Sequence, residues 1–319
     1  MQRRKFIMAL GGAAAGWPIA ARAQQRPRIS ILHSGFPNRG PLFEALSKLG
    51  YENSRTATID LFGGEGDPNR LNTLVAQIGA QKPDVIIAIT SPAVVALREA
   101  KLTIPVVFAF VTDPVALGIV ESLAHPGGTF TGVSYSDADL GGKRLDLLID
   151  AIPGTRRIAV LWSPLFPENA PILDSIRRSA LARGIEVFSR ELHDVGDLSA
   201  AFDDATRAGA QAAVFVTDNM MFGHRKQVAE LALAHHLPSI HSFPPEVQDG
   251  GLMVYGPSRG ENWQRVAALA DRILKGASPS ELPVEQPTKF ELIINLKTAK
   301  ALGLTIPESF LLRADEVIE

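Results

Sequence analysis

Five short stretches carry the polar residues most able to do chemistry: Ser34, Thr90-Ser91-Pro92, Thr112-Asp113-Pro114, Ser163-Pro164 and Thr217-Asp218-Asn219. Each follows a short apolar run. Serine or aspartate before proline suits a helix N-cap followed by a first helical residue, and the amides behind such a cap can bind an anion such as a carboxylate. Hydroxyls and amides at Thr90 and Ser91 therefore suit a carboxylate, whereas Asp113 and Asp218 suit an ammonium. Together they describe a site for a zwitterion, an α-amino acid. Phe36, Phe110, Phe166, Met220, Met221 and Tyr255 fall near the same stretches and could wall an apolar side chain. For any one of these residues, capping or packing alone is the better reading; the case for a site rests on their clustering.

Catalytic constellations are not found. The chain of 319 residues has no cysteine, which excludes disulfides, thiolate-ligated metals and a thiol nucleophile. His33, His125, His193, His224 and His241 are scattered, and the adjacent His235 and His236 point about 100° apart on a helix. No His-Glu-x-x-His, Gly-x-Ser-x-Gly, Gly-x-Gly-x-x-Gly or Walker pattern occurs. Gly63-Gly64-Glu65-Gly66 reads as a turn. No catalytic residue, metal or cofactor is expected, and a formal charge of −2 gives no basic surface for nucleic acid.

The elements that must position these groups alternate in type. Arg28–Leu32, Thr56–Phe62, Val85–Ile89 and Val106–Phe110 read as strands, with helices at Pro41–Leu49, from Asp67 to about Ala80, and at Ala93–Ala100. The alternation restarts with helix Leu140–Ile152. Strands Ile158–Trp162, Ile185–Phe188, Ala212–Val216 and Ser239–His241 then interleave with helices Asn169–Arg183, Leu198–Ala208 and Met221–His235. A run of strand–helix units implies a parallel sheet, and two runs imply an α/β protein of two doubly wound, Rossmann-like lobes. In such sheets ligands bind at the carboxyl ends of the strands. Residues 111–139, 242–260 and 276–289 break the pattern. They predict three crossings between lobes, the first lobe comprising 24–134 and 250–280 and the second 135–249 and 281–319.

Residues 1–23 read as an export signal: Arg3-Arg4-Lys5 precede an apolar run from Phe6 to Ala21, and Ala21-Arg22-Ala23 fits a cleavage site. Cleavage after Ala23 would place an acidic protein in the periplasm, not embedded in the membrane. The paired arginines also fit a twin-arginine signal.

Thr112–Gly118 together with His125–Val133, Gly250–Gly256, Leu282–Leu292, Ile294–Leu304 and Arg313–Glu319 resemble the signature of a periplasmic substrate-binding family of ABC transporters, the one that includes tryptophan/tyrosine-type members. The resemblance implies a type I periplasmic-binding fold closing by a hinge on a small ligand, and delivery to a permease with its ATPase. Where relatives carry an Asn-Pro-Asn-like stretch, this chain has Ser163–Asn169, leaving Asn169 as the equivalent. The expected binding residues are Ser34, Phe36, Thr90, Ser91, Phe110, Asp113, Asn169, Asp218, Asn219, Ser242 and Tyr255. The protein is expected to be a monomer with a small-molecule ligand. A ligand-sensing module for a receptor kinase or chemoreceptor, or a secreted α/β enzyme, are the alternatives.

Overall fold

Val-Ile-Ile-Ala-Ile at positions 85–89 has no polar residue to turn toward water, and in the computed structural model all five are buried, as expected of a central parallel strand covered on both faces. The structure describes residues 26–35, 40–135, 140–166 and 169–319. The expected leader, its cleavage site and Phe36 lie outside the described residues.

The first half runs β1 (Arg28–His33), α1 (Gly40–Lys48), β2 (Thr58–Gly63), α2 (Pro68–Gln81), β3 (Val85–Ile89), α3 (Ser91–Glu99), β4 (Val106–Val111) and β5 (Phe130–Ser134). The second runs α4 (Leu140–Ala151), β6 (Arg157–Trp162), α5 (Asn169–Arg183), β7 (Glu186–Glu191), α6 (Asp197–Arg207), β8 (Ala212–Phe215), α7 (Asn219–Gly223) and α8 (Arg225–Ala234). It continues with β9 (Ser239–His241), α9 (Pro244–Gln248), β10 (Met253–Pro257) and α10 (Arg259–Leu274). The chain closes with β11 (Phe290–Asn295), α11 (Leu296–Ala301), α12 (Glu308–Leu311) and β12 (Glu316–Ile318).

Local chemistry sets many of these boundaries. Asp67 accepts the Asn69 amide at 2.8 Å as N-cap of α2, Pro68 opens the helix, and Lys82 ends it in the left-handed conformation. The helix expected over Met221–His235 is interrupted at His224, which separates α7 from α8.

Among the described residues two sheets form, in the orders β2-β1-β3-β4-β5 and β12-β11-β10-β9-β8-β6-β7. All pairs are parallel except β10 with β11. Counted from its own first strand, each sheet begins 2-1-3-4-5, so the architecture is repeated. Alternate residues of β3 feed opposite layers: Val85, Ile87 and Ile89 face α1 and α10, while Ile86 and Ala88 face α2 and α3. In the second sheet Ile158 and Val160 pack under α4 and α5, and Ala159 and Leu161 under α6 and α8. Each fully buried Ile or Val of this kind contributes roughly 1.5–3 kcal/mol by leaving water.

The expected lobe boundaries need two corrections. Residues 253–257 do not join the first lobe: as β10 they pair with β9 and β11 in the second sheet, because their apolar face completes that core at Met253. Conversely, residues 281–285 stay with the first sheet, where Val133 bridges Glu285 and Val284 packs with Val106 and Phe130. Helix α10, with the stretch that follows it to Glu285, returns to the first lobe from between two antiparallel strands of the second, burying Trp263, Val266, Ala267 and Ala270. The later crossings are tied together: the Ser258 amide donates to the Lys289 carbonyl at 2.9 Å. Arg265 on α10 bonds Glu285 at 3.1 Å and Thr288 at 2.9 Å while pairing with Glu261.

Candidate functional site

In both sheets the strand order reverses beside the first strand, between β1 and β3 and between β6 and β8. That is the switch point where an open α/β sheet leaves a crevice outside its carboxyl edge. The two crevices face one another and form a cleft of about 730 Å³, counting its open mouth.

The first lobe supplies polar groups from the ends of β1, β3 and β4. His33, Thr90, Ser91 and Thr112 line the cleft beside Ile89. The Gly35 amide donates to His33 Nδ1 at 2.8 Å, so in the neutral ring Nε2 carries the proton. Ser34 is buried just behind, its Oγ 2.6 Å from Thr90 Oγ1. Thr90, not Ser91, is the N-cap of α3, and its side chain makes no cap bond because it is turned to Ser34. Its φ of 81° is rare for a β-branched residue, and such strain persists where the surroundings enforce it.

Phe110 is also unusual. The register of β4 against β5 shifts between Ala109 and Val111, and Phe110 sits in that irregularity with φ 56°. Its ring packs edge-on to Trp263 at 4.9 Å and to Phe243 at 6.4 Å. Phe243 belongs to the second lobe, and it also lies 5.4 Å from Tyr135 and 5.5 Å from Phe222. The aromatic wall thus spans both lobes.

The second lobe contributes Phe166, Asn169, Ile172, Thr217 and Asp218 alongside Phe222 and Phe243. Asp218 caps α7, its Oδ1 accepting the Met221 amide at 3.0 Å. Asn169 opens α5, and its Nδ2 donates to the Ser163 carbonyl at 3.0 Å and to Asp218 Oδ2 at 3.3 Å. Among the described lining residues Asp218 is the carboxylate, and no lysine or arginine joins it.

Of the residues expected from sequence, Thr90, Ser91, Phe110, Asn169 and Asp218 come together here, with Ser34 directly behind them. Asn219 is the first residue of α7. Three others lie elsewhere. Asp113 is exposed, and its carboxylate accepts the Ala116 amide at 2.9 Å within a turn rather than a helix. It follows β4, whereas Asp218 follows β8, the counterpart of β3; the two aspartates are not at equivalent strand ends. Ser242 is wholly buried and donates its amide to Glu246. Tyr255, on β10, stacks on Phe290 at 6.0 Å away from the lining, and burial pushes its phenol pKa up.

Tyr135, Phe222 and Phe243 were not anticipated. Tyr135 and Phe243 sit just beyond the ends of β5 and β9; the strand-end rule finds Tyr135 once β5 is drawn, and Phe243 follows a strand already expected over Ser239–His241. Phe222 lies one helical turn beyond Asp218.

The signature of the family described as ABC transporter substrate binding protein matches residues 33–318. A tyrosine-binding protein of Clostridioides difficile strain R20291 is 28% identical over 282 residues, 88% of this chain and 79% of that protein. The structure of an ABC domain in complex with L-Trp from Streptococcus pneumonia superimposes with a TM-score of 0.84 at 25% identity, covering 92% of this chain and all of that one. A periplasmic solute-binding protein of Actinobacillus succinogenes with bound D-allose shares the fold at 19% identity and TM-score 0.61, covering 86% of this chain and 99% of that one. Among the described residues no helix is long and apolar enough to cross a membrane. With two doubly wound lobes of type I periplasmic-binding architecture facing one another across a cleft, the chain belongs to the substrate-binding protein family of ABC transporters.

Proposed function

We propose that the cleft captures an α-amino acid with an aromatic side chain by hinge closure, and that the protein delivers it unaltered to a permease and its ATPase after export to the periplasm. One observation carries this reading. The hydroxyl- and amide-rich edge of the first lobe faces the Asp218 edge of the second across a wall of aromatic rings. The carboxylate sits at Thr90, Ser91 and the first amides of α3, where the helix end favours an anion. The ammonium sits at Asp218, the carboxylate among the described lining residues, whose negative charge attracts a cation into the cleft. The ring of the ligand packs among Phe110, Tyr135, Phe222 and Phe243. Support comes from the tyrosine named for one relative and the L-Trp bound to a structural neighbour.

The test is calorimetry of the mature protein with L-tyrosine, L-tryptophan, aliphatic amino acids and a neutral sugar such as D-allose, with mass spectrometry of whatever co-purifies. Tight binding of an aromatic amino acid and its recovery unchanged are expected. Binding of the sugar with no response to any amino acid overturns the reading.

A further inference from the structure

Behind the second lobe's wall runs a chain of buried polar groups. Thr217, just beyond β8, lines the cleft and donates its hydroxyl hydrogen to Glu246 Oε1 at 2.9 Å. Glu246, on α9, is only 2% exposed and is not among the lining residues. Its Oε2 accepts the amides of Ser242 at 3.2 Å and Phe243 at 2.8 Å. His241 Nδ1 lies 3.3 Å from Oε1, and Ser239 Oγ lies 2.9 Å from His241 Nε2. A carboxylate can only accept, so the neutral His241 tautomer that fits turns its Nδ1 hydrogen to Glu246 and accepts the Ser239 hydroxyl at Nε2. Glu246 is therefore surrounded by donors and acts as acceptor toward all of them.

That arrangement dictates what Thr217 can offer a ligand. A hydroxyl has a single hydrogen, and here Glu246 holds it; only lone pairs remain for the cleft. Asn169 is constrained in the same sense. Its amide nitrogen is directed at two acceptors, the Ser163 carbonyl and the Asp218 carboxylate, which fixes the amide orientation and leaves Oδ1 as an acceptor. An ionised Asp218 accepts too.

We infer that Glu246 is a positioning residue: by taking the Thr217 hydrogen it makes the second-lobe wall a surface of acceptors, which selects a ligand bearing a primary ammonium over the same ligand without one. The inference rests on the amino-acid reading above and extends it to a residue that does not touch the ligand. A primary ammonium carries three N–H donors, and Thr217 Oγ1, Asn169 Oδ1 and Asp218 provide acceptors for them. A desamino analogue would leave Thr217 Oγ1 and Asn169 Oδ1 facing a group with no hydrogen to give, which is unfavourable.

The experiment compares L-tyrosine with 3-(4-hydroxyphenyl)propionate, the same molecule lacking the ammonium, by calorimetry on the full mature chain. In Glu246→Gln the Ser242 and Phe243 amides retain the single carbonyl oxygen, so the new NH₂ group takes the place of Oε1 toward Thr217 and His241, whose ring switches tautomer to accept. The bond reverses, and the Thr217 hydrogen swings toward the cleft. L-Tyrosine affinity is expected to fall by about 10- to 100-fold while the propionate changes little, collapsing the selectivity ratio. Thr217→Val is expected to collapse the ratio as well, and Thr217→Ser to preserve it; this pair carries the test if Glu246→Gln folds poorly. A ratio unchanged in Glu246→Gln, or in Thr217→Val, overturns the inference while leaving the amino-acid reading in place. Equal wild-type affinity for the two compounds also overturns it. A wild-type protein that binds neither L-tyrosine nor L-tryptophan overturns the parent reading, and the role of Glu246 falls with it.

Discussion

Replacing Asp218 by asparagine and by alanine separates two tasks of one carboxylate. Oδ1 caps α7 through the Met221 amide, and Oδ2 receives Asn169. Asparagine caps a helix about as well as aspartate, so Asp218→Asn keeps the first task; its NH₂ group then faces the Asn169 amide, and the charge and the second hydrogen bond are lost. Alanine loses both: about 1 kcal/mol for the cap and about 1 kcal/mol for the second hydrogen bond. At roughly 2–4 °C per kcal/mol for a protein of this size class, Asp218→Ala should melt about 4–8 °C below wild type, and Asp218→Asn about 2–4 °C below it. Binding should rank differently. A hydrogen bond to a charged group contributes about 1.5–3 kcal/mol, so both variants should lose roughly 10- to 150-fold in affinity for an aromatic amino acid. Thermal melts and calorimetry on the same preparations read the two effects independently. An asparagine variant that binds as tightly as wild type would refute the ammonium role; an alanine variant that melts with wild type would refute the cap.

Phe243→Leu removes ring contacts with Phe110, Tyr135 and Phe222, and calorimetry should show L-tryptophan affinity lower by about two- to tenfold. Unchanged affinity would take that ring out of the site. Gly141→Ala would place a Cβ 2.6 Å from the Ile172 carbonyl, where α4 meets α5. A backbone atom cannot step aside, so the overpacking cost of about 1–3 kcal/mol outweighs the roughly 1 kcal/mol gained in helix propensity; a denaturant midpoint at or above wild type would contradict this. Burial, then the hydrogen bond to Asp271, pushes the Tyr51 pKa up to about 12 from an ordinary 10. Its contribution to stability is therefore complete below about pH 10 and fades as pH rises toward 12. In Tyr51→Phe the late-titrating tyrosinate absorbance should fall by one tyrosine's worth, leaving that of Tyr255, and the alkaline decline flatten; a late step of undiminished amplitude would show the assignment to be mistaken.

Sequence reasoning reached the parts of this fold that are decided locally. The unbroken apolar run of β3 and the Asp67-Pro68 start of α2 declare themselves without their partners. Strand β5 does not. Phe130–Ser134 follows Pro126-Gly127-Gly128 and contains Gly132, which reads as another loop glycine. In the structure Gly132 is there because a Cβ would lie 2.2 Å from the Phe108 carbonyl, a constraint set by a strand more than 20 residues earlier. Likewise nothing near Met253–Pro257 announces an antiparallel partner at Phe290–Asn295, and so the lobe boundary was misplaced. The site followed the same division. Thr90, Ser91, Asn169 and Asp218 lie where strand-end logic puts them. Asp113 lies apart because a turn, not a helix, follows it, and Tyr255 because it sits in the middle of β10, stacked on Phe290, and not at a strand end. Glu246 carried no local signal at all, since its importance comes from Thr217, 29 positions away in the chain.

The excursion of α10 has a bearing on how the molecule is made. Trp263, Val266, Ala267 and Ala270 cover one face of a sheet whose own strands end at Ser134. A nascent chain that has just produced β5 holds all five strands of that sheet and α1, but leaves the rest of this face bare to water until the intervening β6–β10 have also been synthesised. Neither half can mature ahead of the other as an independent block, and a truncation at any of the three crossings strands an uncovered apolar layer. Such a fragment is expected to clump rather than to persist as a functional half-molecule.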